Sequence, residues 1–150
     1  MKKLLTILLS VLSTLLLSGC TLINAFSSEY IDFSRLEISD IKHIYIVAYG
    51  SRYKDYTKMA ELTYDDIETL LPLLNQVELA GEATDEFQNV PAMYWQMYRI
   101  ELENGQEFDF AANKNYYAVN MAGYVADENI GNEILLQSRE WCKKYFPEDY

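Results

Sequence analysis

Histidine is almost missing from this chain, with His43 the single example in 150 residues. No histidine cluster can therefore hold a metal ion. His43 also has no free thiol on its own element with which to form a nucleophile pair, and a satisfied structural histidine is the plain reading of it. Basic residues are scarce too, with 12 Lys and Arg against 23 Asp and Glu and a net charge of −11. Phosphate binding needs clustered Lys and Arg, so nucleic acid is excluded as a partner class. Walker, GxSxG, HExxH and EF-hand patterns are absent as well. Acidic pairs do occur, at Asp65-Asp66, Asp85-Glu86 and Asp127-Glu128. They fall at helix caps or in loops, where capping and solvation account for them. Carboxylate catalysis needs two such groups facing one cleft. The chain is accordingly read as a non-enzyme with no metal and no cofactor, and a hydrolase working through carboxylates is the alternative.

Long apolar runs are also lacking, with one exception at the start. Lys2 and Lys3 precede a 14-residue stretch, Leu4 to Leu17, broken only by Thr6, Ser10, Ser13 and Thr14. A bilayer span needs about 20 apolar residues, whereas a signal-peptide core needs about 7 to 15. The stretch ends in Leu17, Ser18, Gly19 and Cys20. This tetrapeptide resembles the lipobox of bacterial lipoproteins at all four positions. The resemblance implies a diacylglyceryl thioether on Cys20, with palmitate-type acyl chains, and cleavage between Gly19 and Cys20. Small residues there let an extended chain enter a protease site, and a thiolate is the nucleophile that a lipid donor requires. Two acyl chains, at about 0.8 kcal/mol per buried methylene, give stable anchoring where one does not. An ordinary secretory signal is the alternative. The location implied is the extracytoplasmic face of the cell membrane, or the outer membrane in a Gram-negative envelope.

Three segments follow: a signal peptide over 1–19, a lipidated cysteine and tether over 20–34, and one domain over 35–150. Removing the signal leaves 131 residues at a net charge of −13, because Lys2 and Lys3 leave with it. An acidic domain is repelled by an anionic membrane surface. A flexible tether of 14 residues spans about 20 Å, roughly twice the Debye length at physiological salt. With Cys20 lipidated, Cys142 has no cysteine partner, so packing and not a disulfide must hold the core.

Periodicity then sets the fold class. In LTYDDIETLLPLLN, Thr63 is an N-cap, Asp65 and Asp66 suit the helix dipole, and Tyr64, Ile67, Leu70, Leu71 and Leu74 share one face. Pro72 predicts a kink or stop near Leu71. A second helix, capped by Asp127 or Asn129 and stopped by Pro147, turns Ile130, Ile134, Leu135, Ser138, Trp141, Cys142 and Tyr145 inward. Cys142 there reads as a packed thiol. Strands are expected at 43–49, near 58–62, on both sides of Asn104-Gly105, and at about 116–120. A two-residue turn at Asn104-Gly105 would put charge on each apolar face. A three-residue loop with Gly105 in the left-handed position instead pairs Ile100 with Phe108, Tyr98 with Phe110 and Arg99 with Asp109. The expectation is α+β: an antiparallel meander sheet of about five to six strands with two helices on one face.

Two stretches suggest binding. Arg52, Lys54 and Lys58 lie among Tyr53 and Tyr56, a set that suits an anionic ligand or lipid headgroups by charge and stacking, against the plainer reading of a solvated hairpin loop. Met93, Trp95 and Met97 form an apolar set on the strand face opposite Tyr94, Tyr98, Ile100 and Leu102. Either a helix or the N-terminal segment covers it, which is the favoured reading, or it meets a partner. The candidate binding residues are Arg52, Tyr53, Lys54, Tyr56 and Trp95. Beyond the lipobox the chain is similar in general style to small lipoproteins of Gram-positive bacteria. The function expected is a lipid-anchored binding or accessory protein of the cell envelope, held to the membrane through Cys20 and meeting a protein or envelope partner through a sheet face, with an envelope hydrolase as the alternative.

Overall fold

The β-branched and aromatic run HIYIVAY lies within the longest strand, β1 (Ile41–Tyr49), which pairs on both sides. The computed structural model describes residues 31–50, 57–84, 95–120 and 122–149, with Ala80–Thr84 and Trp95 described by backbone alone. Among these residues the remaining strands are β2 (Thr57–Glu61), β3 (Ala80–Thr84), β4 (Trp95–Leu102), β5 (Glu107–Ala112), β6 (Tyr116–Val119) and β7 (Ala122–Val125). They form one sheet in the order β2-β1-β4-β5-β6-β7-β3, and every neighbouring pair is antiparallel. Two helices, α1 (Tyr64–Leu74) and α2 (Glu128–Tyr145), complete the α+β architecture. Strands β3 and β7 were not foreseen. Ala, Gly and Glu in AGEAT have little intrinsic strand preference, so ladder pairing with a neighbour decides their conformation.

The β4–β5 hairpin has the anticipated register. Ile100 faces Phe108, Arg99 faces Asp109 and Tyr98 faces Phe110. The Gly105 amide donates to the Leu102 carbonyl at 2.9 Å with φ at 86°, a left-handed conformation that glycine adopts without a Cβ penalty. Consequently one sheet face carries Ile44, Ile46, Tyr98, Ile100, Phe108, Phe110 and Tyr117, all buried. Helix α2 seals it. Gly131, Ile134, Ser138, Trp141 and Cys142 turn inward, and the Trp141 ring meets Tyr98 edge-on at 5.8 Å. Asp127 is its N-cap, accepting from the amides of Asn129 and Ile130.

Helix α1 departs from expectation at both ends. It runs through Pro72 to Leu74, where Asn75 donates its amide to the Leu71 carbonyl. Pro72 is on the exposed side, so the hydrogen bond it lacks is lost facing water. At the start, Tyr64 is 60% exposed and Asp66 is buried instead. Asp66 accepts from Lys144 Nζ at 2.6 Å, from the Tyr145 hydroxyl at 2.5 Å and from Thr63 Oγ1 at 2.8 Å. Burial alone would raise its carboxyl; these three hydrogen bonds and the Lys144 charge outweigh that and hold it at about 2. The pairing ties the first turn of α1 to the last turn of α2.

The compact unit runs from Asp32 to Tyr150. Phe33, at 1% exposure, packs on Phe108 and Phe110 with ring centroids 5.6 and 5.0 Å away. Asn75, its amide nitrogen turned toward this segment, donates to the carbonyls of Phe33 at 2.7 Å and Leu36 at 3.2 Å. Phe33, within the stretch assigned from the sequence to the tether, is therefore part of the core.

Candidate functional site

Strand alternation gives the sheet a second face, and among the described residues no helix packs there. Its side chains fall into cross-strand rows. The first row is His43, Glu101 and Glu107, and the second is Glu61, Tyr45, Arg99 and Asp109. The third runs Met59, Val47, Met97, Ala111, Ala118 and Gly123 to the position of Thr84. The fourth includes Thr57, Tyr49 and the position of Trp95 on one side, with Tyr116 and Val125 on the other. The face thus passes from charged to apolar within two rows.

Charge on the first two rows is predominantly negative. Arg99 is held by Asp109 through two hydrogen bonds, at 2.9 and 3.2 Å, with Glu107 at 3.3 Å. Those carboxylates, Asp109 first, raise its pKa further. His43 Nδ1 lies 2.6 Å from Glu61 Oε1, which gives the single histidine a structural partner. Glu101 and Glu107 stand directly opposite each other on the ladder, an arrangement of like charges that costs stability. The Tyr45 hydroxyl feels the whole group: partial burial, then the charges of Glu101, Glu61 and Glu107, raise its pKa. Glu61 and Glu107 are each more than half exposed, so water and any partner reach them.

The third row is different in kind. Val47 is 2% exposed and Ala118 is 4% exposed, and Met97 and Ala111 are also buried. Tyr45, Tyr49 and Tyr116 pack against them without being fully buried themselves. Met97, from the apolar set singled out in the sequence, is in this row. Trp95 occupies the ladder position opposite Tyr49, and Met93 lies outside the described residues.

No protein-family model, curated protein or solved structure matches this chain. The site is therefore read from its own chemistry. Arg52, Tyr53, Lys54 and Tyr56 lie outside the described residues, as do Gly19 and Cys20. Tyr49 and Thr57, which flank those four residues in the sequence, pair on adjacent antiparallel strands. Lys58, the last basic residue of that patch, bonds Glu148 Oε1 at 3.1 Å and is thereby turned to the helix side. Sequence reasoning missed the charged rows because His43, Glu61, Glu101 and Glu107 come from four strands. Only the Arg99–Asp109 pair was visible, through the hairpin register. Among the described residues no group of three or more His, Cys, Asp and Glu is placed to hold a metal ion, and no helix is long and apolar enough to cross a membrane.

Proposed function

We propose that this is a lipid-anchored, extracytoplasmic binding or accessory protein of the bacterial cell envelope, and that it meets a cationic segment of a partner through the charged rows of the helix-free face. The observation that carries the reading is the direct opposition of Glu101 and Glu107 beside Glu61 and Tyr45. A ladder that tolerates like charges gives up stability there, and such local conflicts concentrate at functional sites. A Lys or Arg side chain from a partner would relieve the repulsion and lie near the Tyr45 ring, where a cation is attracted to the aromatic face. The anchor rests on the lipobox at residues 17–20 and on the apolar run before it. Membrane attachment through Cys20 then raises the local concentration of the domain near envelope partners. The competing hydrolase reading gains no specific support from this face, where Asp109 is already engaged by Arg99.

The test is affinity capture from native membranes with the parent protein and with a Glu101→Lys, Glu107→Lys double variant. Both side chains point away from the packed core, so the variant should melt like the parent. Capture of one partner by the parent and its loss with the variant is the expected result. Equal capture by both proteins would end the proposal for this face.

A further inference from the structure

We infer that the outer edge of β2 is a docking site for an extended, cationic segment of a partner protein, which adds to the sheet as a further strand with a Lys or Arg side chain beside Glu61. The inference stands on the strand edge itself. It does not depend on the role given above to Glu101 and Glu107, which are on inner strands.

Pairing geometry decides which backbone groups face outward. The Leu62 amide donates to the Ile44 carbonyl at 2.8 Å, one step beyond the pairing of Tyr45 with Glu61. Hydrogen-bonded positions alternate along an antiparallel ladder. Ala60 and Lys58 therefore share the orientation of Leu62, toward Ile46 and Ala48 of β1. Thr57, Met59 and Glu61 turn their N–H and C=O groups the other way. Strand β2 ends the sheet on that side, and among the described residues no strand pairs with those groups. Met59 is 55% exposed, and Thr57 and Glu61 are exposed as well. Outward N–H and C=O groups already held in strand conformation are a template for an added strand.

Sheets blunt such edges with proline, a bulge or an outstanding lysine. The two edges of this sheet differ in that respect. At the far edge the pairing of β3 with β7 shifts register between Ala80 and Thr84, the kind of irregularity that breaks a template. Strand β2 runs in unbroken register with β1 and contains no proline. Its lysine does not guard the edge either. Lys58 bonds Glu148 Oε1 at 3.1 Å and stands 3.6 Å from Asp149 Oδ2, with 15% of its side chain exposed. The regular edge is thus the one left without a guard.

Charge selects the occupant. The carboxylates of Glu61 and Glu148 beside this edge are each more than half exposed, while the charge of Lys58 is answered by Glu148. Glu61 already meets His43 Nδ1 through one oxygen, and a carboxylate accepts from several donors. An added strand places alternate side chains on the helix-free face, opposite Thr57, Met59 and Glu61. Opposite charge and apolar contact are what stabilise cross-strand pairs, so the residue facing Glu61 is basic and the one facing Met59 is apolar. A second copy of the chain is the poorer occupant. It carries the same net charge of −11, and self-pairing would bring two acidic edges together.

Amide hydrogen exchange on the full-length protein tests this, with a peptide of alternating lysine and valine as the probe. Exchange at Thr57, Met59 and Glu61 should slow by about tenfold or more once most of the protein is bound. Lys58 and Ala60, already bonded to β1, should not change. The same peptide N-methylated at every residue keeps its charge but loses its backbone donors, and it should give no protection. Glu61→Gln should weaken the protection several-fold. Met59→Pro should abolish it, since proline is tolerated at an edge position whose N–H faces outward. Protection that persists in the Glu101→Lys, Glu107→Lys variant would support this edge apart from the charged rows. The inference is overturned if millimolar peptide leaves the three amides unprotected, or if the N-methylated peptide or one of alternating glutamate and valine protects them equally. It is also overturned if they become protected without peptide as protein concentration rises, the sign of a second copy. A response confined to Glu101 and Glu107 would overturn it while leaving the proposed function standing.

Discussion

Replacing Asp66 with asparagine keeps the shape of the side chain and removes its charge. In the folded protein the carboxyl is held at about 2, against an ordinary value of 3.8, by Lys144, Tyr145 and Thr63. A difference of that size between the folded and unfolded chain corresponds to about 2 kcal/mol of stability at neutral pH. Because the folded value is the lower one, the folded chain binds fewer protons than the unfolded chain between the two. The contribution is therefore complete above about pH 5, has fallen to about half by pH 3 and disappears below pH 2. Lys144 is half exposed, so raised salt should trim its share of the effect. Asp66→Asn should thus lose about 2 kcal/mol at pH 7, a fall in melting temperature of roughly 8 °C for a domain of this length. Urea unfolding of parent and variant at pH 7, 5, 4 and 3 measures the difference directly. A gap that stays constant over that range, or no gap at pH 7, would refute the helix-to-helix role assigned to this carboxylate.

Other expectations follow from the same contacts. Phe33→Ala empties a site between Phe108 and Phe110 and should cost about 3 to 5 kcal/mol in denaturant unfolding. A chain beginning at Asp32 should melt cooperatively, and one beginning at Leu36 should not. At Gly131 a Cβ would run into the Asn113 carbonyl oxygen; Gly131→Ala should therefore destabilise by about 1 to 3 kcal/mol by thermal melting, opposite in sign to the gain of roughly 1 kcal/mol that helix propensity alone predicts. Cys20→Ala should abolish lipid attachment, and a variant that still partitions into detergent as a mature lipoprotein does would remove the anchor from the account.

Local patterns carried the hairpin and the second helix. Alternation fixed the faces of β4 and β5, and charge at the wrong positions ruled out the shorter turn. The 3.6-residue period of α2 needed only its own sequence, with Asp127 and Pro147 marking the ends. Where the outcome depended on distant partners, the sequence was silent or misleading. Asp66 looks like a solvated cap residue until Lys144 and Tyr145, nearly 80 positions away, come to meet it, and Tyr64 then turns outward. Phe33 is preceded by a segment of mixed character, so nothing nearby marks it as core; its partners Phe108 and Phe110 are on β5. The charged rows are assembled from β1, β2, β4 and β5, and no spacing within one strand reveals them. The basic loop drew attention by its local density of charge, whereas the face with the like-charge conflict emerges only from strand pairing.

The central claim is that the charged half of the helix-free face receives a cationic partner segment. An NMR titration of the protein with a short oligolysine peptide tests it most directly. Amide shifts should concentrate on His43, Tyr45, Glu61, Glu101 and Glu107, weaken as salt is raised, and vanish in the Glu101→Lys, Glu107→Lys variant. Shifts spread evenly over this acidic domain, or centred on the exposed side of α2, would contradict it.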